Sequence, residues 1–289
     1  MPAEEAQEKI KSEQDVNQTE VDESQAPIMD HLYELRNRMV KSLIALIVFA
    51  CLCGFFVTDI FNILLVPFVD ATDPSETAKI ILTGLPELFF VYLKLALFGG
   101  IILGFPYISF QIYAFVAPGL YQNERGAFIP YLVATPVLFA IGASLVYFLV
   151  MPLAMTFFLG LEQVGGIGEA SIQLEPRASE YLGLVMTLIL GFGLIFQLPV
   201  VLTLLARIGV VSSGWLKSKR KFAIVIIFAV SAILTPPDPA SQLGMAIPTL
   251  LLYEFSILAV MWIERSRKKA RKKAEEADDE TNDDDNENT

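Results

Sequence analysis

Hydrophobic and polar positions along the chain are not interleaved at the short periods of a soluble domain. They fall into long apolar blocks separated by short polar connections. The blocks run approximately from 39 to 58, 88 to 113, 128 to 150, 181 to 206, 222 to 235 and 242 to 262. A bilayer core of about 30 Å takes roughly 20 helical residues, and a spanning helix satisfies its own backbone polar groups. The pattern therefore predicts an all-α membrane protein, a bundle of six transmembrane helices. The last two blocks are short, and Thr235-Pro236-Pro237-Asp238-Pro239 between them cannot continue a helix, so it fits a tight turn between two spans with local membrane thinning. Pro and Gly recur within the blocks, among them Gly99-Gly100, Pro106, Pro136, Gly142 and Pro199. Such residues permit close helix approach and bends, and a bent, concave bundle is expected.

Composition agrees with that class: 54% hydrophobic residues, 18% charged residues and a mean hydropathy of +0.54. The net charge of -11 is misleading about the membrane part. Residues 1–30 hold nine acidic and two basic side chains, and residues 275–289 hold nine acidic and none basic. What lies between carries 14 acidic and 19 basic residues, and the acidic pI describes the tails. Both tails are polar and lack aromatics, and composition predicts disorder for residues 1–28 and for the basic-then-acidic stretch 265–289, flanking a membrane domain at 29–264. The first 30 residues have no basic start followed by an apolar stretch, so the first span is expected to direct insertion.

Basic residues fix an expected orientation. Arg36, Arg38 and Lys41 flank the first block, five lie between Arg207 and Lys221, and seven between Arg265 and Lys273. The alternate connections hold little beyond Lys79 and Arg177. The positive-inside rule then predicts both termini in the cytoplasm. The second turnaround has only Arg125 and follows from parity.

Candidate chemistry is sparse. Cys51 and Cys53 form a C-x-C within an apolar block and read as small packing residues; His31 is the sole histidine, which leaves no basis for a multi-histidine metal site. Neither H-E-x-x-H nor G-x-S-x-G occurs, so no enzyme, catalytic residue or cofactor is expected. Charges at membrane depth are costly and hence informative. Lys94, in LFFVYLKLALFGG, is either a snorkelling side chain or half of a buried ion pair, and Glu254 has apolar residues on both sides in LLLYEFSIL. Glu162 and Glu169 follow the third block in Gly-rich sequence, either solvated or at the membrane boundary. Glu34 stands four residues before Arg38, the spacing of an ordinary solvated helix pair, and Glu124 sits beside Arg125 in a connection rich in aromatic and apolar residues that could bind a segment part cationic, part apolar.

Three segments, HLYELRNRM, FQIYAFVAPGLYQNER and TPPDPASQLGMAIPTLLLYE, resemble in order the TatC family, the core receptor of the twin-arginine protein translocase, over about residues 29–262. The resemblance implies export of folded proteins across a bacterial cytoplasmic (inner) membrane, driven by the proton-motive force and without nucleotide hydrolysis by this subunit. It implies that Glu34 and Glu124 bind the paired arginines of signal peptides, with Arg36, Gln111, Phe115, Pro118, Leu120 and Tyr121 shaping the groove. A family glutamate that enters the membrane after the third span matches Glu169 from the Tyr181-Leu182 side and Glu162 from the Pro152 side; Glu169 is preferred. Thr235, Asp238 and Gln242 match the motif by which the last two spans dock single-span TatB and TatA subunits. Other implied partners are further copies of the chain and membrane lipid, with no nucleic acid. A six-span secondary transporter of a small solute or ion is the alternative, and it would require charges converging at mid-membrane, for which Lys94 and Glu254 are the candidates.

Overall fold

The computed structural model describes residues 29, 31–72, 79–116, 129–162 and 174–287, with side chains up to residue 269. Every extended element among them is a helix, and the sole β pairing is an isolated parallel bridge between Ile81 and Arg177. The first helix, α1, covers His31–Phe55; a break at Phe56, whose N–H bonds Cys53 O at 3.0 Å, separates it from α2 (Val57–Ala71). Then come α3 (Glu87–Val116), α4 (Ile129–Leu145), a π-helical turn (Val146–Val150) and α5 (Met151–Leu159). Pro152 has no N–H to return to the preceding turn, and the widening to a π turn just before it accommodates that loss. Next are α6 (Ala178–Ile195) and α7 (Leu198–Arg207), separated by Phe196-Gln197 because Pro199 interrupts the hydrogen-bond ladder in the same way. The last three are α8 (Ser213–Ser218), α9 (Arg220–Leu234) and α10 (Pro239–Glu287).

Five segments are long and apolar enough to cross a bilayer: His31–Phe55, Glu87–Phe115, Ile129–Leu159, Ala178–Arg207 and Pro239–Lys269. The sixth expected span corresponds to α9, which at 15 residues is about 22 Å long and shorter than a bilayer core. Thr235-Pro236-Pro237 ends it as the sequence requires. Asp238 then caps α10, its Oδ1 accepting the Ser241 N–H at 2.7 Å, and Pro239 occupies the first helical position, where a missing N–H costs nothing. The C-terminal stretch differs from expectation: α10 stays helical through the basic run to Glu287. Ala, Lys, Arg and Glu dominate there, all strong helix formers, and opposite charges stand four apart at Arg271/Glu275 and Lys272/Glu276. The expected N-terminal tail lies outside the described residues.

Contacts between ends show that α1, α3, α4–α5 and α6–α7 alternate in direction, and that α10 runs the same way as α6–α7, its Arg267 donating to Arg207 O at 2.7 Å. Arg38 at the start of α1 meets Gln111 at the end of α3, Tyr113 of α3 meets Thr135 of α4, and Ser213 of α8 meets Glu264 of α10. At the opposite end, Glu87 at the start of α3 meets Ser179 at the start of α6. The first end carries the three basic clusters. The other holds Lys79 and Arg177 among Glu87, Glu162, Glu175, Glu180 and Asp238.

The main core lies where α2, α3, the π turn, α5 and α6 converge on Leu95, Val146, Val150, Leu182, Leu188 and Phe192. A smaller one joins α7, α8 and α9 to α10 through Ala206, Leu216, Ile227, Ile257 and Val260. Large apolar residues also cover the outside: Phe55 is 84% exposed and Ile233 82%. Such a surface fits lipid, in contrast to a soluble domain of this size.

Candidate functional site

Glu34 lies in the first turns of α1, and Arg38 follows at i+4 on the same face. Arg38 Nε and Nη2 both donate to Glu34 Oε1, at 2.9 and 2.6 Å, and Nη1 donates to Gln111 Oε1 of α3 at 3.3 Å. Gln111 is buried, while Glu34 and Arg38 keep about a third and a quarter of their side chains exposed. Glu34 Oε2 faces His31 Nδ1 at 3.9 Å. The His31 ring stacks on Phe115 of α3 with centroids 4.3 Å apart and planes 15° from parallel. Arg36 leans over the Tyr33 ring at 5.6 Å.

Below this polar mouth, α1 and α3 enclose an open groove of about 840 Å³ walled chiefly by Leu35, Met39, Leu43, Ile108, Ile112 and Phe115. The sequence dictates its character. The residues of α1 at 35, 39, 43 and 46 repeat at helical spacing, as do 108, 112 and 115 on α3, so two apolar stripes face each other. Carboxylate and amide acceptors at the rim of an apolar trough can hold the charged end of a ligand whose remaining length is apolar.

Four expected site residues come together here, Glu34, Arg36, Gln111 and Phe115, joined by Arg38, which the sequence offered only as the i+4 partner of Glu34. Pro118, Leu120, Tyr121, Glu124 and Glu169 lie outside the described residues. Glu162 stands past the end of α5 and accepts the Leu174 N–H at 2.7 Å, bracing a connection. Lys94 is exposed, two turns into α3 from Glu87. Glu254 pairs with Arg220 at 2.6 Å, both half-exposed. Since Arg220 opens α9, Glu254 sits level with the basic end of α9, midway along the Pro239–Lys269 segment of α10.

Thr235 and Asp238 are buried and committed locally, Thr235 Oγ1 to Ser231 O at 2.8 Å and Asp238 to the α10 cap. Asp238 Oδ2 and Ser241 Oγ are buried and have no hydrogen-bond partner among the described residues. Gln242 is half-buried one turn into α10. Cys51 is exposed and Cys53 buried, both as thiols. Among the described residues no group of three or more His, Cys, Asp or Glu could hold a metal ion.

Sequence reasoning missed two carboxylates that tie the ends together. Glu87 Oε2 accepts the Thr83 N–H at 2.7 Å and the Gly84 N–H at 3.3 Å, and its Oε1 accepts from the Ser179 N–H and hydroxyl. Glu264 accepts from the Ser213 N–H at 2.9 Å and from its hydroxyl. Thr-Gly-Leu-Pro-Glu at the opening of α3 could have signalled the local half of the first. Nothing local signals Ser213, 51 residues from its partner.

A family model described as "Sec-independent protein translocase protein (TatC)" matches residues 30–248. The Sec-independent protein translocase protein TatC of Magnetococcus marinus is 46% identical over 245 residues, 85% of this chain and 88% of that one. Its namesake from Escherichia coli K12 is 37% identical over 236 residues, 81% of this chain and 88% of the other. Among solved structures, a crystal structure of a twin arginine translocase receptor, TatC, superposes with a TM-score of 0.69 at 37% identity, covering 80% of this chain and 98% of that one.

Proposed function

Because the chain belongs to the TatC family of Sec-independent protein translocase proteins, we propose that it is the receptor subunit that reads paired-arginine signal peptides and, with single-span partners, passes folded proteins across the bacterial cytoplasmic membrane. The observation that carries this reading is the joining of Glu34 to the α1–α3 groove. A signal peptide of this class offers guanidinium groups followed by an apolar stretch. The mouth offers carboxylate and amide acceptors followed by two apolar stripes. Guanidinium matches a carboxylate with a planar fork of donors, which the single ammonium of Lys lacks.

In the proposed arrangement the basic end faces the cytoplasm, together with both termini, and α9 makes a sixth, short crossing where the bilayer thins. The α9–α10 pair is the dock for the single-span subunits TatB and TatA, with Gln242 as its accessible amide and Thr235 and Asp238 shaping the turn. The proton-motive force supplies the energy, and the chain itself performs no covalent chemistry. A small-solute transporter is less well supported, since Glu254 is neutralised by Arg220 at one end of α9 and does not converge with Lys94.

The test is binding of a fluorescent twin-arginine signal peptide to the purified full chain in detergent. Glu34→Ala should weaken it about tenfold or more, the scale of a lost charge-assisted hydrogen bond. A Lys-Lys peptide should bind more weakly than Arg-Arg to the unaltered chain. Equal affinity of the Glu34→Ala variant and the parent would remove Glu34 from the site.

A further inference from the structure

The acceptor assigned to the signal peptide is not vacant, because Arg38 already holds it. Its Nε and Nη2 converge on Glu34 Oε1 at 2.9 and 2.6 Å, and Nη1 reaches across the groove mouth to Gln111 Oε1. We propose that Arg38 is an internal competitor for Glu34, so that binding of a signal arginine is a displacement of one guanidinium by another. The proposal rests on the reading that Glu34 receives the signal arginines.

A plain i,i+4 pair on a solvated helix would need no function, and two features separate this one from it. A third contact comes from a different helix, through a glutamine that is only 6% exposed and hence cannot turn to water. Arg38 itself also lines the groove, and through it Glu34 is tied to the groove wall.

Competition follows from the chemistry of the donors. With Arg38 in place the carboxylate is neutralised, and an approaching cation gains little from charge alone. At Oε1 it must replace donors already made, while Oε2 faces His31 Nδ1 at 3.9 Å. A peptide arginine can put the same two N–H groups on the same oxygen, so the exchange conserves the hydrogen bonds and the charge at Glu34. An ammonium brings three donors on one strongly hydrated centre without a planar fork, and it exchanges at a loss. The displaced Arg38 keeps Gln111 Oε1 as an acceptor and has a quarter of its side chain in solvent, so it is not stranded unpaired. Arg38 thus lowers the affinity of every cationic peptide by one factor, and only a peptide whose own pairing with Glu34 is strong stays bound.

The experiment compares dissociation constants of two labelled signal peptides, Arg-Arg and Lys-Lys, identical elsewhere, on the full chain in detergent. Arg38→Gln removes the competitor. Both peptides should bind about tenfold more tightly, with the Arg-over-Lys ratio kept, since the same internal contact is given up to either cation. Arg38→Lys, which keeps the charge and is the milder change, should tighten both by about threefold. Arg-Arg binding that is unchanged or weaker in both variants would overturn the proposal and leave Arg38 as a brace for α1. A dissociation constant is insensitive to a uniform loss of folded protein, and if Arg38→Gln does not fold, Arg38→Lys decides alone. Glu34→Gln separates the two levels. If it leaves Arg-Arg binding intact, the receptor reading at Glu34 fails and the competitor with it; if it weakens Arg-Arg while the Arg38 variants keep the parent affinity, only the competitor fails.

Discussion

At the scale of single residues, two carboxylates outside the candidate site do the most structural work. Glu87 gathers Thr83, Gly84 and Ser179 on one side chain, joining the connection before α3 to the start of α6. Ile81 reinforces the same junction, donating to Pro176 O and accepting from Ala178 N–H, both at 3.1 Å. Glu87→Gln replaces one acceptor oxygen with an NH₂ group that must face donors on either side. Amide exchange at Thr83, Gly84 and Ser179 should then quicken about tenfold, read by hydrogen–deuterium exchange, while the core of α6 keeps its protection. Unchanged exchange at all three would assign the junction to the backbone bonds alone. The contrast with Glu34 says what a sequence can reveal about a polar residue. Glu34 was legible because its partner Arg38 is four residues away and both lie in a recognisable motif. Glu87 and Ser179 are 92 apart, and Arg38 and Gln111 are 73 apart. Residue types alone carry no mark of such pairings, and they emerge only when helices are set side by side.

At the scale of elements, hydropathy located the apolar blocks, whereas the ends and breaks of the helices obeyed other physics. The first block was read from 39, yet α1 begins by His31, because two turns bearing Glu34, Arg36 and Arg38 are helical without being apolar. The block from 181 to 206 reads as one span but folds as α6 and α7, since Pro199 leaves hydropathy unchanged while breaking the ladder. Close packing was legible only as a tendency of glycine-bearing segments. A Cβ on Gly100 would lie 2.7 Å from Ala50 N and 2.8 Å from its Cα, so α1 and α3 touch backbone to backbone at that level. Gly142 is similar, with Phe192 O at 2.9 Å. Gly100→Val should lower stability by about 1–3 kcal/mol, because neither helix can retreat without opening the groove wall they share. Gly183, which has nothing within 4 Å of its position, is the matched control. Gly183→Ala should leave stability equal or raise it by about 0.5–1 kcal/mol through helix propensity. Thermal unfolding of the two variants in one detergent gives the comparison, and equal melting would show that α1 is free to move off α3.

For the molecule as a whole, the open quantity is the number of crossings, and α9 decides it. Three turnarounds follow from the first four long spans, whose ends are fixed by cross-bundle contacts; α10 runs parallel to α6–α7, so the return between them depends on α9, which is only 15 residues. If α9 lies along the surface, Pro237 and Lys217 share a side of the membrane; if it crosses, they are on opposite sides. The contacts favour a crossing. Arg220 at its start pairs with Glu254 well along α10, while Leu234 at its end packs on Gly191 of α6, so α9 runs antiparallel to α10 along the bundle. A helix of about 22 Å still leaves a deficit against an average bilayer core, which thinning or snorkelling of Arg220 and Lys221 would absorb at a fraction of a kcal/mol per Å. The prediction is made on single-cysteine variants Lys79→Cys, Pro237→Cys and Lys217→Cys, all exposed positions, in a background with Cys51 and Cys53 replaced by Ala. An impermeant maleimide added outside intact cells should label Lys79→Cys and Pro237→Cys, and should reach Lys217→Cys only after permeabilisation. Labelling of Pro237→Cys that required permeabilisation, with Lys79→Cys still reached from outside, would reduce the crossings to four or require α10 to enter from the other face. Because α10 shares its packing with α7 and α9, that outcome would also move Gln242 away from the side on which a single-span partner is proposed to dock.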